Sequence, residues 1–256
     1  MSILDIKNLK YSNLFSDLNL QIFNNEFISL SGANNCGKTT LLRILSAQIS
    51  STFDIKVFEK NINDYKIEEF SKIVQIVIPE EISFYENNLY EEVSMYINGN
   101  SKLLDYIIKG LKIKKLLDKD IDTLTKKEII LAQICLALAM QPKILLLDDL
   151  SPFFNNKELE SIILFLKDYQ KENNITIIYA TINLYETLKT DRLIIINDGI
   201  IELDDKPITI LQKDNIINKL GLNIPFMIDL SVKLRDYDLI SEIEMDKDRM
   251  VDILWK

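Results

Sequence analysis

One octapeptide limits the folds open to this chain more than any other feature of its sequence. It matches the pattern G-x-x-x-x-G-K-[ST] and consists of Gly32, Ala33, Asn34, Asn35, Cys36, Gly37, Lys38 and Thr39. A strand predicted at 26–30 precedes it, and a helix predicted at 39–49, with leucines on one face, follows it. A strand, a glycine-rich turn and a helix in this order are typical of a loop that wraps phosphate groups. The sequence therefore predicts a phosphate-binding loop at 32–39.

The chemistry of such a loop assigns roles to its residues. Backbone N–H groups point at the phosphates, and glycine is needed where a side chain would block their approach. Lys38 is predicted to contact the β- and γ-phosphates and Thr39 to ligate Mg²⁺, with Thr40 beside them in the same site. Cys36 is interpreted as a small neutral filler of the loop in preference to a redox switch.

Two adjacent carboxylates follow an apolar strand predicted at 144–147. After a phosphate loop, the first carboxylate of such a pair holds Mg²⁺ through water, which assigns Asp148 to the metal. The second can orient or deprotonate an attacking water, and we predict Asp149 as the catalytic residue. An ordinary turn after a buried strand would also explain the pair, but the phosphate loop upstream favours the metal-binding interpretation.

Apolar strands alternate with helical stretches along the rest of the chain. Strands are predicted at 3–6, 18–22, 73–78 and 175–180, and helices over most of 88–140 and at 156–173. Gly99 and Gly110 are interpreted as breaks in the longer helical stretch. An Asp198-Gly199 turn predicts a hairpin, and short helical pieces follow Pro207. Buried strands that alternate with helices indicate a largely parallel sheet covered on both faces.

Charge and composition exclude several classes of function. The net charge of −9 argues against a nucleic-acid surface. The chain contains no histidine, which excludes histidine-based triads and histidine-ligated metals. Two cysteines are too few for a disulfide scaffold and favour a reducing compartment. No apolar run approaches the roughly 18 residues of a membrane span, and the first residues lack a signal-peptide pattern. We therefore expect a cytosolic chain that can still dock on a membrane protein.

Several segments carry a family resemblance. The octapeptide at 32–39, the strand and aspartates at 144–149 and the hairpin at 192–199 resemble the nucleotide-binding domain of an ABC transporter. The tail, at 220–226, 229–235 and 245–255, resembles the C-terminal segment of energy-coupling factor (ECF) ATPases. The resemblance covers essentially the whole chain.

The resemblance implies a fold of the α/β class with a P-loop NTPase (RecA-like) core. A parallel sheet would be joined by an antiparallel β-subdomain, an inserted helical subdomain and a small C-terminal helical extension. The implied boundaries are 1–204 for the ABC-type nucleotide-binding domain, about 79–140 for the helical subdomain and 205–256 for the ECF-ATPase-like extension.

The same resemblance implies cofactors and partners. ECF ATPases bind ATP and Mg²⁺ and power the import of vitamins or of nickel and cobalt ions. The implied partners are a second ABC ATPase subunit, a transmembrane scaffold subunit and a substrate-binding membrane subunit. Two ATPases would face each other head to tail, so that each ATP lies between one phosphate loop and the other subunit's signature motif. The chain would then lie peripherally at the cytoplasmic face of the cell membrane.

The signature motif departs from the family pattern. The usual Leu-Ser-Gly-Gly-Gln is replaced by Leu124-Thr125-Lys126-Lys127-Glu128. In the family, the glycines let a helix N-terminus press its N–H groups on the opposite γ-phosphate. Two lysines add bulk as well as positive charge there. Thr125 and Glu128 also match a plain helix capping box, and we favour a helix start that has lost its ATP contact.

Other positions of the hydrolysis machinery depart as well. The switch histidine maps to Ile182, the Q-loop glutamine to Ile78 or Pro79, and the D-loop aspartate to Asn155. Gln75 is predicted to be buried in its strand. Asp149 is one methylene shorter than the glutamate of many such ATPases. The residue that stacks on adenine could be Tyr11, although strict register gives Asn13, and a place for Tyr11 in the strand core is equally compatible with the sequence.

The intact phosphate loop predicts ATP binding, whereas the missing catalytic groups predict poor hydrolysis. Losing one positioned catalytic group can cost on the order of 10²–10⁴ in rate, so slow or absent turnover is expected while ATP binding survives. Our leading hypothesis is a degenerate ECF-type ATPase subunit that contacts the scaffold around 88–117. The alternatives are a true hydrolase with Asp149 as general base and a non-hydrolysing regulatory or structural pseudo-ATPase. A heterodimer is favoured, because a homodimer would pair each phosphate loop with the degenerate segment 124–128.

Overall fold

Two sheets form the framework of the chain, for which a computed structural model describes residues 2–49, 53–79, 81, 84–97 and 99–255. The larger sheet has six strands in the order β10-β9-β3-β8-β7-β6. Its strands are β3 (Phe27–Ser31), β6 (Val74–Val77), β7 (Ile144–Leu147), β8 (Thr176–Ala180), β9 (Arg192–Asn197) and β10 (Ile200–Asp205). All neighbours in this sheet are parallel except β9 and β10. The predicted parallel sheet is confirmed.

The smaller sheet is antiparallel and lies beside the first helix. It has the order β2-β1-β4-β5, with β1 (Ser2–Tyr11), β2 (Phe15–Phe23), β4 (Asp54–Val57) and β5 (Lys60–Asn61). One hydrophobic cluster joins this sheet to β3, β7 and the buried leucines of α1 (Lys38–Leu45). Two strands of this sheet, β4 and β5, were not predicted, because neither lies in an apolar run like those that predicted β6 and β7.

Helices cover the larger sheet and build the helical region between β6 and β7. They are α2 (Ile67–Ile73), α3 (Leu89–Ser94), α4 (Ser101–Leu111), α5 (Lys126–Ala139), α6 (Asn156–Asn173) and α7 (Leu184–Thr187). Short 3₁₀ turns lie at Ile62–Asp64, Lys114–Leu116, Ile121–Thr123 and Ser151–Phe153. Helix α2 was not predicted, and α1 ends four residues before the predicted boundary at 49.

Two glycines in the helical region have different roles. Gly99 lies between α3 and α4, as predicted, but Gly110 lies inside α4, so the expectation of a break there is wrong. A Cβ on Gly110 would overlap the ring of Phe165 on α6. Glycine is therefore present to let the two helices approach closely, and the helix continues through it.

The C-terminal residues form four short helices after the hairpin of β9 and β10. These are α8 (Pro207–Leu211), α9 (Asp214–Lys219), α10 (Phe226–Asp236) and α11 (Lys247–Leu254). The predicted Asp198-Gly199 turn is confirmed, since both residues have positive φ angles. Helices α8 to α10 share a hydrophobic cluster with α7 and β9, so the extension packs directly on the larger sheet.

Candidate functional site

The predicted phosphate loop and the paired aspartates lie in one groove of about 360 Å³. Strands β3 and β7 are parallel and both pair with β8, so their carboxyl ends meet at the same edge of the sheet. The residues that line the groove are Leu14, Asn34, Asn35, Gly37, Lys38, Thr39, Thr40, Asp148 and Asp149. Two segments more than 100 residues apart thus form one site. Leu14, which the sequence did not single out, belongs to it.

The two predicted magnesium ligands touch each other. The Thr39 hydroxyl donates a hydrogen bond to Oδ2 of Asp148 at 2.7 Å. The two oxygens therefore lie side by side at the start of α1, where a hydroxyl and a carboxylate could both ligate a cation bound to phosphates. These residues fit Mg²⁺ by the chemistry of their donor atoms.

The side chain of Lys38 bends back over the phosphate loop. Its Nζ donates to the carbonyl oxygens of Gly32 at 2.8 Å and Ala33 at 3.0 Å, and Sγ of Cys36 is 3.8 Å away. The ammonium group is therefore held above the loop, where the phosphates of a nucleotide would replace the carbonyls as its partners. Cys36 is half-buried under the same ammonium group.

Gly32 shows why the loop needs glycine at its start. Its φ is +151°, and a Cβ would overlap the carbonyl oxygen of Ile196 and lie 2.6 Å from Sγ of Cys36. The loop therefore turns against β9 with no room for a side chain, and Cys36 fills the remaining space, which agrees with its interpretation as a filler.

Asp149 lies in the groove, but Ser151 engages one of its two carboxylate oxygens. Its Oδ1 accepts hydrogen bonds from the backbone N–H of Ser151 at 3.0 Å and from the Ser151 hydroxyl at 2.6 Å. One carboxylate oxygen thus caps the turn that follows β7. The assignment of Asp149 as a general base stays a prediction.

Tyr11 lies at the end of β1, with its ring edge-on to Phe53 at 5.9 Å between ring centroids. It packs against the core of the smaller sheet, whereas Leu14 lines the groove. Asn13 is exposed in the turn between β1 and β2. The choice between Tyr11 and Asn13 for the adenine stays a prediction.

The degenerate signature segment forms the start of α5. Thr125 and Glu128 make both hydrogen bonds of a capping box, with the Thr125 N–H donating to the Glu128 carboxylate at 2.9 Å. The ammonium group of Lys119, together with the N–H and hydroxyl of Thr125, lowers the pKa of Glu128 to about 2. The capping-box interpretation is confirmed. Loss of the ATP contact stays a prediction.

A second capping box lies beside the first. Asn155, at the D-loop position, caps α6 by accepting a hydrogen bond from the N–H of Glu158 at 3.0 Å. Lys127 pairs with Glu158, and its ammonium lies 5.7 Å from the centre of the Phe154 ring. One of the two signature lysines is therefore tied to the neighbouring helix.

The residues that follow β8 form a buried polar cluster. We use the term switch segment for residues 181–183, which include Ile182 at the position of the switch histidine. The Glu186 carboxylate accepts hydrogen bonds from the hydroxyls of Tyr179 at 2.5 Å and Thr181 at 2.8 Å, and from the Asn183 amide at 2.8 Å. The pKa of Glu186 is raised, because burial and the nearby Asp149 outweigh the three hydrogen bonds that lower it. No sequence pattern marked Glu186 for this role, because polar and apolar residues are mixed around it at 181–190.

The Q-loop position has no polar side chain that reaches the groove. Ile78 is buried after β6, and Gln75 donates a hydrogen bond to the carbonyl of Ser71 on α2. Gln75 is half-buried and lines a neighbouring groove, so the expectation that it is buried in its strand is wrong. Strand β6 lies at the edge of the larger sheet, where fewer neighbours cover this side chain.

That neighbouring groove has a volume of about 460 Å³ and lies between β6, α3 and α5. Glu92 and Gln133 line it, and Oε1 of each is buried without a hydrogen-bond partner among the described residues. Oε2 of Glu92 accepts the N–H groups of Tyr85 and Glu86 at 2.8 Å each. Glu92 was not predicted as a site residue, although it occupies an apolar position of the helical period with Leu89 and Val93.

Comparisons with known proteins agree with this geometry. The family model described as ABC transporter matches residues 15–151. The energy-coupling factor transporter ATP-binding protein EcfA1 of Oenococcus oeni is 26% identical, over 100% of this chain and 98% of that protein. Its counterpart in Leuconostoc mesenteroides is 29% identical over 90% of each chain.

A solved structure extends the agreement to the fold. The structure of cbiO1 from Clostridium perfringens, described as part of the ABC transporter complex cbiONQ, has a TM-score of 0.72 and 25% identity. The match covers 88% of this chain and 96% of cbiO1. Among the residues that the structure describes here, no helix is both long and apolar enough to cross a membrane. The chain belongs to the ATP-binding proteins of ABC transporters, in the energy-coupling factor family.

Proposed function

We propose that this chain is the energy-coupling subunit of an ECF-type importer for a micronutrient such as a vitamin or a metal ion. It would bind Mg-ATP at a head-to-tail interface with a second ATPase and drive a transmembrane scaffold at the cytoplasmic face of the membrane. The observation that carries the proposal is the convergence of Lys38, Thr39 and Asp148 in one groove. The substrate-binding membrane subunit would select the micronutrient.

The groove supplies the contacts that ATP binding needs. Lys38 would leave the carbonyls of Gly32 and Ala33 for the β- and γ-phosphates, while the N-terminus of α1 adds its dipole. Thr39 and Asp148 would hold Mg²⁺, which neutralises the phosphate charge when it is bound. Each of these groups already lies at the mouth of the loop, so little rearrangement is needed.

We propose that hydrolysis at this site is weak. Ile182 and Ile78 cannot hydrogen-bond a γ-phosphate or a water, and one oxygen of Asp149 is engaged by Ser151. A water at the γ-phosphate would therefore meet a single free oxygen of Asp149 and none of the other groups that orient it. The alternative is a non-hydrolysing regulatory or structural subunit of the same kind of complex.

A second, different ATPase is the partner that we propose. The start of α5, which would face the partner's ATP, carries a capping box and a lysine tied to α6 in place of glycines. Two copies of this chain would pair both phosphate loops with such a helix start. A heterodimer would give this phosphate loop a better signature motif.

The groove between β6, α3 and α5 is the surface that we propose for the scaffold. Glu92 and Gln133 line it, and Oε1 of each is buried without a hydrogen-bond partner among the described residues. An unpaired buried acceptor costs about 1–3 kcal/mol, so an occupant that donates hydrogen bonds would relieve the cost. Tyr85, 83% exposed on the rim, offers apolar contact beside them.

Replacing Tyr85 with alanine tests this docking surface. The variant should lose most of the scaffold, with recovery of the membrane subunits in pull-downs through this chain falling ~10-fold, because an exposed aromatic anchor is removed. Tyr185→Ala, which removes an exposed tyrosine from α7, is the matched control and should recover the scaffold normally. ATP affinity should stay unchanged in both variants. Normal recovery with Tyr85→Ala would place the scaffold elsewhere.

A further inference from the structure

The buried carboxylate of Glu186 holds both neighbours of Ile182. Its Oε2 accepts the Thr181 hydroxyl and its Oε1 accepts the Asn183 amide. The Thr181 hydroxyl also accepts the Asn183 N–H at 3.0 Å, and the Thr181 N–H donates to the carbonyl of Leu30 at 3.0 Å. The switch segment is therefore fixed at both ends, and its first residue is bonded to β3.

The middle residue of the switch segment belongs to a different environment. Ile182 packs against the hydrophobic cluster that α7 and β9 share with the C-terminal helices, and the nucleotide groove is lined by other residues. The cluster members from α8, α9 and α10 include Ile210, Leu211, Ile217, Ile228 and Val232, and those from α7 and β9 are Leu184, Leu193 and Ile195. Burial of apolar surface thus holds Ile182 on the side of the extension.

The two sets of contacts reinforce each other. Glu186 is only 4% exposed, and its third partner is the hydroxyl of Tyr179, a fully buried residue of β8. A carboxylate bonded to one strand residue and to two residues of the following segment fixes the chain direction between them. With that direction fixed, the side chain of Ile182 has one apolar cluster within reach.

We propose that Glu186 is a positioning residue that clamps the switch segment so that Ile182 joins strand β8 to the C-terminal helices. This inference rests on the proposed function, because it concerns how the extension behaves when Mg-ATP binds. In the family, the residue at this position would contact the γ-phosphate. In this chain it is Ile182, an apolar residue that packs against the cluster. The C-terminal helices are consequently held in one place whether or not nucleotide is bound.

Hydrogen exchange of the full chain with and without Mg-ATP tests the first consequence. Exchange in 32–40 should slow by ~5-fold or more on addition of Mg-ATP, while exchange in 181–188 and 226–236 should change by less than about 2-fold. Protection of 181–188 to the same degree as 32–40 would overturn the clamp. Absence of protection at 32–40 would contradict the proposed function instead, and the variants below would still decide on the clamp.

Variants of Glu186 test the positioning role. Glu186→Ala should speed exchange in the switch segment by ~10-fold and in α10 by several-fold, since Ile182 is released from the cluster. Glu186→Gln keeps an oxygen that can accept from Tyr179 and Thr181, so α10 should stay close to wild type. Tyr185→Ala, on the exposed face of the same helix, is the matched control. A change confined to 181–188 in Glu186→Ala, with α10 unaffected, would reduce Glu186 to a local role and overturn the proposal.

Discussion

Replacing Lys38 with alanine is expected to weaken the affinity of the chain for Mg-ATP by at least ~100-fold, or about 2.8 kcal/mol. Lys38 is the one lysine among the described residues that line the groove. The carbonyls of Gly32 and Ala33 already hold its ammonium group above the loop. Charge-assisted bonds to phosphate oxygens are about twice as strong as neutral ones. Calorimetric titration of both proteins with Mg-ATP measures the difference.

A matched lysine separates this effect from a change in overall charge. Lys10 is exposed on β1, and Lys10→Ala removes the same charge while the groove stays intact. This control should bind Mg-ATP as wild type does. Equal affinity of wild type and Lys38→Ala would mean that nucleotide binds elsewhere, and no binding to wild type would favour the structural pseudo-ATPase.

The second large effect concerns stability at Gly110. Glycine to alanine inside a helix ordinarily stabilises a protein by about 0.5–1 kcal/mol. Here the added Cβ would overlap the ring of Phe165, so Gly110→Ala should instead lower the free energy of unfolding by about 1–3 kcal/mol. Urea unfolding followed by circular dichroism measures the sign directly.

Two further variants connect the loss to this contact. Lys109→Ala changes an exposed neighbour in the same helix and should leave stability within about 0.5 kcal/mol. Phe165→Leu should recover part of the loss in the Gly110→Ala background, because the smaller side chain makes room for the methyl group. If Gly110→Ala raised stability, the close approach of α4 and α6 would be refuted.

The central part of the fold could be predicted because its signals are local. Residues 32–39 carry their glycines, lysine and threonine in one octapeptide, and the apolar strand before Asp148 is continuous. Parallel pairing then brings the two segments to the same sheet edge. The meeting of Thr39 and Asp148 at 2.7 Å therefore follows from sequence reasoning together with sheet topology.

Other features depend on partners that are distant along the chain. Gly110 has the same local sequence signal as a helix break, and only Phe165, which is 55 residues away, explains it. Strands β4 and β5 are stabilised by pairing with β1 and with each other, and short strands carry no periodic signal of their own. Glu92 and Glu186 are buried acids whose hydrogen-bond donors are brought to them by folding, the N–H of Tyr85 to Glu92 and the hydroxyl of Tyr179 on β8 to Glu186, so no local pattern marks either acid.

The most direct test of the account is ATP turnover by the membrane complex purified through this chain, with Asp149→Asn beside wild type. Asp149 is the residue that the sequence predicts as general base, and it lines the groove. If this subunit holds Mg-ATP while its partner performs hydrolysis, turnover should stay within about 2-fold of wild type. A loss of ~10-fold or more would contradict weak hydrolysis at this site and identify Asp149 as a working catalytic residue.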